Sequence, residues 1–150
     1  MSIFAELTAG IRTQSADETR AIAFRLAQAM PLDATLALHG DLGVGKTTFV
    51  QGLAKGFGVT DVVTSPTFNI FTLHRGGTQT LVHLDAYRLD NDRQIESLML
   101  DDFLTSPFCL AVEWPEKIAA WLPIGTWHFA LRILDEQHHH LQLISKAPPI

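Results

Sequence analysis

The chain lacks the features that mark disulfide scaffolds, secreted proteins and membrane proteins. Cys109 is the only cysteine among 150 residues, so no internal disulfide can form, and its apolar surroundings at 108–112 predict a buried, reduced thiol. No stretch approaches the ~18 apolar residues of a membrane span. The N-terminus also has no basic start followed by an apolar run and a cleavage site. We therefore expect a cytoplasmic protein that contacts no membrane.

Positive charge is scarce as well. The chain has 11 Lys and Arg against 16 Asp and Glu, a net charge of −5, and no basic stripe. A phosphodiester backbone is held by clustered cations, so we expect no stable DNA binding, and any RNA to be held by a partner. Linkers, repeats and low-complexity tracts are also missing. The length and a hydrophobic content of 47% predict a single domain over 1–150.

Hydrophobic periodicity predicts an α/β domain. The sequence from Ser15 to Glu18 matches a capping box and begins a helix that ends before Pro31. Helical periods recur in two further segments, 47–57 and 90–99. Short apolar runs predict strands at 35–39, 109–112, 126–133 and 139–144, and a hairpin that joins 68–73 to 80–84. The sum is a three-layer domain with a mixed, partly antiparallel sheet.

One motif carries specific chemistry. Residues 40–47 read GDLGVGKT, which fits the phosphate-binding pattern GxxxxGK followed by Ser or Thr, and they lie between a predicted strand and a predicted helix. The glycines let successive backbone amides point at phosphate oxygens. Lys46 is predicted to bridge the outer phosphates, and the Thr47 hydroxyl to complete a Mg²⁺ shell. A glycine-rich turn that merely precedes a helix is the alternative. We expect a P-loop domain that binds ATP, since no Asn-Lys-x-Asp string indicates GTP.

Two carboxylates follow apolar strands, where a phosphate loop needs an acidic partner. Asp85 follows the run 81–84, and Glu113 follows the run 109–112. Either can hold Mg²⁺, directly or through water, or orient the attacking nucleophile. Each can equally cap the next helix. Spacing alone leaves their roles open.

Other candidates have plain structural alternatives. Thr67 is either a γ-phosphate sensor or part of a β-turn. Arg88 either stabilises charge at the phosphate or forms a solvated ion pair. The three histidines at 138–140 invite a metal interpretation, but zinc sites usually draw on separated pairs of ligands, so a solvated strand is favoured. Trp114 and Trp121 are predicted to be core or rim aromatics.

Taken together, the motifs resemble the TsaE (YjeE) family, the small P-loop ATPases of bacterial tRNA threonylcarbamoyladenosine biosynthesis. The resemblance covers nearly the whole chain and rests on GDLGVGKTTF at 40–49, SPTF at 65–68, HLDAYRL at 83–89 and VEWPEK at 112–117. It implies a slow Mg²⁺-dependent ATPase that works in a complex with TsaD and TsaB and supports turnover of the TsaD transferase. Contact with tRNA would be indirect, through that complex.

The resemblance also implies roles for single residues. Thr47 and Glu113 would hold Mg²⁺, Asp85 would support hydrolysis, and Thr67 would lie in a switch-like loop. Nucleotide contacts would come from Ser15, Asp41, Leu42, Gly43, Val44, Gly45, Lys46, Thr47, Thr48 and Gln137. The first and last of these belong to the segments 15–19 and 137–138. Around 137–140 the chain departs from the glycine and arginine of the family pattern.

Two other functions remain compatible with the loop. A small-molecule kinase usually adds a mobile lid that carries several arginines. In the stretch of this chain where a lid would lie, only Arg88 and Arg93 are present. A nucleotide-regulated binding module would bind ATP without turnover.

Overall fold

The computed structural model describes residues 2–41, 45–66 and 70–146. Its strands are β1 (Ile11–Thr13), β2 (Ala34–His39), β3 (Phe71–His74), β4 (Thr80–Asp85), β5 (Phe108–Glu113), β6 (Trp127–Ile133) and β7 (His139–Lys146). They form one sheet in the order β1-β7-β6-β2-β5-β4-β3. The central strands β6, β2, β5 and β4 are parallel, whereas β1, β7 and β3 pair antiparallel at the two sides.

The helices are α1 (Ile3–Ala9), α2 (Ala16–Ala29), α3 (Lys46–Gly56) and α4 (Asp92–Ser97), with 3₁₀ turns at Leu100–Phe103 and Pro115–Ile118. They cover both faces of the sheet, as β5 illustrates. Cys109 and Ala111 pack into a cluster with α1, α2 and α3, while Leu110 and Val112 pack into a second cluster with α4 and the two 3₁₀ turns. Successive side chains of a strand point to opposite faces, so β5 is apolar on both faces from Cys109 to Val112. The predicted three-layer α/β fold is confirmed.

Helices α2 and α3 approach closely because α3 presents glycines to α2. A Cβ at Gly52 would come within 2.4 Å of the Arg20 carbonyl oxygen, and one at Gly56 within 2.8 Å of the Phe24 carbonyl oxygen. Gly56 lies four residues after Gly52, and its α2 partner Phe24 lies four residues after Arg20. The two helices run parallel, and their N-terminal ends lie at the same edge of the sheet.

Several predicted boundaries are confirmed. Ser15 caps α2 by accepting a hydrogen bond from the Glu18 amide at 3.1 Å, and the Glu18 carboxylate accepts one from the Gln14 amide. The predicted hairpin is the antiparallel pair β3–β4. Cys109 is buried, and burial raises the pKa of its thiol to about 12.

Two parts of the chain differ from prediction. The helix expected over 90–99 is shorter, because the Asn91 side chain caps α4 at the Gln94 amide and the chain turns left-handed at Met99 (φ 54°) into a 3₁₀ turn. Helix α1 and strand β1 had no sequence prediction. None of the helices in the described ranges is long and apolar enough to cross a membrane.

Candidate functional site

The predicted phosphate loop leaves the sheet at the C-terminal end of β2. Gly40 follows this strand, and Gly45, in the left-handed conformation at φ 93°, immediately precedes α3. Leu42, Gly43 and Val44 lie outside the described residues. Asp41 is exposed, whereas Thr47 and Thr48 are half-buried in the first turn of α3. The strand, loop and helix order required by the motif is present.

Parallel pairing brings both candidate carboxylates to this edge. Glu113, the last residue of β5, pairs in register with Leu38 of β2 on one side and with Asp85 of β4 on the other. The ends of three neighbouring parallel strands thus supply the loop and the two acids. Open α/β sheets bind ligands at this edge.

Lys46 is buried beside the loop. Its side chain is buried, its Nζ donates a hydrogen bond to the Gly40 carbonyl oxygen at 2.8 Å, and it lies 3.8 Å from the centre of the Trp114 ring. A cation over an indole face is attracted by the negative charge of the π-system. The ammonium group is therefore oriented before any ligand arrives.

Opposing effects act on the Lys46 charge. Burial lowers its pKa, whereas neighbouring carboxylates raise it and offset only part of the shift. These carboxylates are, in decreasing order of effect, Glu113, Glu116, Asp85 and Asp41. Both candidate strand-end acids thus act electrostatically on the lysine of the motif.

Asp85 links β4 to the SPTF segment. Its Oδ1 accepts a hydrogen bond from the Tyr87 amide at 3.0 Å, and its Oδ2 accepts one from the Ser65 hydroxyl at 3.5 Å. Its backbone amide also donates to the Ile70 carbonyl at 2.7 Å. Thr67 itself lies outside the described residues. A displacement of Ser65 would therefore act directly on this carboxylate.

Glu113 is buried and is held by a histidine that the sequence analysis did not single out. Its Oε2 accepts a hydrogen bond from Nε2 of His83 at 2.5 Å, and the His83 side chain is completely buried. A histidine within the apolar run of β4, two residues before Asp85, was the available signal. Its partner depends on the pairing of β4 with β5.

Neither acid caps the helix that follows it. Asn91 caps α4, and the 3₁₀ turn Pro115–Ile118 after Glu113 has Trp114 at its N-cap position and no side-chain cap. Trp114 has a left-handed backbone (φ 57°), which is uncommon for a bulky residue and typical of functional sites. Its ring contacts Tyr87 at 5.1 Å between centroids as well as Lys46. Predicted only as a core or rim aromatic, Trp114 belongs to the site.

A small cavity adjoins the loop at the N-terminal ends of α2 and α3. It has a volume of about 140 Å³ and is lined by Ala16, Thr19, Gly45, Thr48 and His139. Residues of the segment 15–19 and of the last hairpin thus meet Gly45 and Thr48 at this cavity. The Ser15 hydroxyl caps α2. Gln137 is exposed in the turn before β7, where its backbone amide donates a hydrogen bond to the Asp135 carboxylate. His139 is the hairpin residue that lines the cavity.

The other candidates lie in separate environments. Arg88 is exposed, and Trp121 is half-buried against the second apolar cluster, the one that contains Leu110 and Val112. His138 bonds Asp135, and His140 accepts from Arg132. Within the described ranges, no three His, Cys, Asp or Glu side chains are grouped so that they could hold a metal ion.

Comparisons with known proteins agree with these motifs. Residues 13–142 match the family model described as threonylcarbamoyl adenosine biosynthesis protein TsaE. A Bacillus subtilis protein named tRNA threonylcarbamoyladenosine biosynthesis protein TsaE is 43% identical over 113 residues, which cover 75% of this chain and 70% of that protein. A Rickettsia felis protein of the same name is 33% identical over 132 residues, covering 87% and 77%.

The coverage of relatives varies. A Synechocystis protein with the same name is 45% identical over 98 residues, which cover 63% of this chain and 62%, less than two thirds, of that protein. Among solved structures, the crystal structure of YdiB from Bacillus subtilis is similar, with a TM-score of 0.74 and 32% identity over 88% of this chain and 81% of that one.

Proposed function

The chain belongs to the TsaE family, and from this premise we propose that it is an ATP-binding and ATP-hydrolysing accessory subunit in the synthesis of threonylcarbamoyladenosine in tRNA. The observation that carries the proposal is the oriented Lys46 ammonium at the start of α3, next to the strand ends that bear Glu113 and Asp85. An oriented cation in a site shielded from water favours charge developing on a phosphoryl group.

The donor set at this edge fits Mg²⁺. The Thr47 hydroxyl follows the motif lysine, and the carboxylates of Glu113 and Asp85 lie at adjacent strand ends, all of them oxygen ligands of the kind that Mg²⁺ prefers. We assign Thr47 and Glu113 as the residues that hold the ion. When bound, Mg²⁺ would neutralise charge on the outer phosphates.

The chain's own residues then divide the remaining tasks. Lys46 would exchange the Gly40 carbonyl oxygen for phosphate oxygens, since both are hydrogen-bond acceptors. Asp85, fixed by the Tyr87 amide, would orient the attacking water. The 140 Å³ cavity at Thr48 and His139 would hold another part of the nucleotide.

The role in the pathway is that of a helper. With a net charge of −5 the chain is poorly suited to hold tRNA by itself, so tRNA would meet it in a cytoplasmic complex with TsaD and TsaB. ATP hydrolysis would support turnover of the TsaD transferase, which performs the group transfer.

The test compares Lys46→Ala with Lys55→Ala, a control at an exposed lysine of the same helix. Wild type and Lys55→Ala are expected to bind ATP in a Mg²⁺-dependent way and to release phosphate slowly, whereas Lys46→Ala loses binding or turnover. Unchanged binding and turnover in Lys46→Ala would refute the assignment. Transfer of phosphate to a metabolite would indicate a kinase, and ATP that stays intact with all partners present would indicate a binding module.

A further inference from the structure

We propose that His83 is a positioning residue for Glu113: its Nε2–H holds one carboxylate oxygen and so fixes the orientation in which Glu113 meets Mg²⁺. The inference rests on the proposed function, because it concerns the same ion. It adds a residue that acts through Glu113 and does not itself touch the metal or the nucleotide.

The sheet register places His83 for this task. His83 pairs with Ala111 in the parallel β4–β5 ladder, two pairs before Asp85 and Glu113. Alternate residues of a strand share a face, so His83, Asp85 and Glu113 all lie on the α3 side of the sheet, where Cys109 and Ala111 pack. Ala111, which pairs with His83, has a small side chain.

The hydrogen bonds of His83 point to a single purpose. Its Nε2 bonds Glu113, while its buried Nδ1 has no hydrogen-bond partner within the described part of the chain. Burying a polar nitrogen without a partner costs free energy. An apolar side chain would fill this position at lower cost if packing were its only role. The one interaction that needs an imidazole is the bond to Glu113.

Glu113 needs such a restraint because the nearby Lys46 ammonium group also attracts its carboxylate. Of the carboxylates that act on Lys46, Glu113 has the largest electrostatic effect. A glutamate with free side-chain torsions would be drawn to that ammonium group. A charge-assisted hydrogen bond from His83 holds the carboxylate at Oε2, which leaves Lys46 on the Gly40 carbonyl. Both groups are thereby kept ready for ligand.

The test measures how much Mg²⁺ is needed for binding of a non-hydrolysable ATP analogue. Groups that orient a metal ligand typically contribute about 10–100-fold in metal affinity, so His83→Leu is expected to raise the Mg²⁺ requirement by that factor. Metal-free affinity for the analogue should stay the same. His74→Leu, which removes another buried histidine of the same hairpin, is the control and should match wild type.

A glutamine variant and an asparagine variant of His83 separate a positioning role from a packing role. The amide of His83→Gln reaches the place of Nε2, whereas that of His83→Asn reaches the place of Nδ1. The Mg²⁺ requirement should therefore be nearly restored in His83→Gln and remain raised in His83→Asn. In a Glu113→Ala background, His83→Leu should cause no further change. Equal requirements in the Gln and Asn variants, or an undiminished effect of His83→Leu without Glu113, would overturn the inference.

A second readout needs no metal or nucleotide. Nitrogen and proton NMR of the ring should find the His83 proton on Nε2, with a downfield signal that moves upfield in Glu113→Ala. An Nδ1 proton, or an Nε2 signal indifferent to Glu113→Ala, would contradict the hydrogen bond. If wild type showed no Mg²⁺-dependent binding but the ring signals were as expected, the proposed function would fail while the His83–Glu113 contact stood.

Discussion

Replacing Gly52 with alanine tests whether the close approach of α2 and α3 builds the nucleotide edge. The added Cβ would stand 2.4 Å from the Arg20 carbonyl oxygen, 2.7 Å from the Ala23 Cβ and 2.9 Å from the Arg20 Cα. Two of these atoms belong to the backbone of α2, so no rotamer change removes the clash. Helix α2 must move away from α3.

The expected loss of unfolding free energy in Gly52→Ala is the difference between two effects. Alanine is favoured over glycine in a helix interior by about 1 kcal/mol. Overpacking a tight contact costs about 1–3 kcal/mol, and the backbone clash at Arg20 places Gly52→Ala in the upper part of that range. The net loss is about 1–2 kcal/mol of unfolding free energy. For a chain of this length, the thermal midpoint should fall by about 2–8 °C.

The assay combines thermal unfolding with ATP binding. Gly52→Ala should bind ATP more weakly than wild type because displacing α2 widens the cavity between Thr19 and Thr48. Adding Ala23→Gly removes only one of the three close contacts and itself costs about 1 kcal/mol of helix propensity, so it should not restore the stability of wild type. A Gly52→Ala protein as stable as wild type would show that helix propensity dominates here and would refute the tight packing of α2 on α3.

Two further predictions concern acidity and capping. His39 and His128 are hydrogen-bonded to each other at 2.8 Å, and burial lowers the pKa of both. As pH falls, the unfolded chain therefore takes up protons at these histidines before the folded chain does. The stability that they contribute above pH 6.5 is lost as pH falls through the lowered folded-state pKa values. Thermal midpoints between pH 8 and 5 should therefore fall less in a His39→Gln/His128→Gln double variant, and parallel profiles would count against this. Ser15→Ala removes the bond to the Glu18 amide, which should cost about 1 kcal/mol and lower the midpoint by about 2–4 °C; no change would mean that water replaces the cap.

The local parts of the fold could be predicted from the sequence. The cap at Ser15 and the β3–β4 hairpin depend on neighbouring residues, and both are present. Helix α1 and strand β1 are short, at seven and three residues, and short elements depend on tertiary packing more than on their own propensity. They left no signal strong enough to predict.

The site was predictable only to the point where strand pairing decides it. Asp85 and Glu113 were identified as strand-end acids, but their adjacency depends on β4 pairing with β5. The partners of His83 and Trp114 depend on that same register and on a left-handed backbone after Glu113. A single sequence contains no direct record of either.

We have proposed that the loop at 40–47 binds ATP and that hydrolysis of this ATP serves a larger complex. The most direct measurement is the rate of ATP hydrolysis by this chain, alone and with TsaD, TsaB and tRNA. We predict a slow rate alone, a clear rise when the three are added together, and no rise with Lys46→Ala in place of wild type. A rate that the mixture does not change, or a rise that survives Lys46→Ala, would contradict the account.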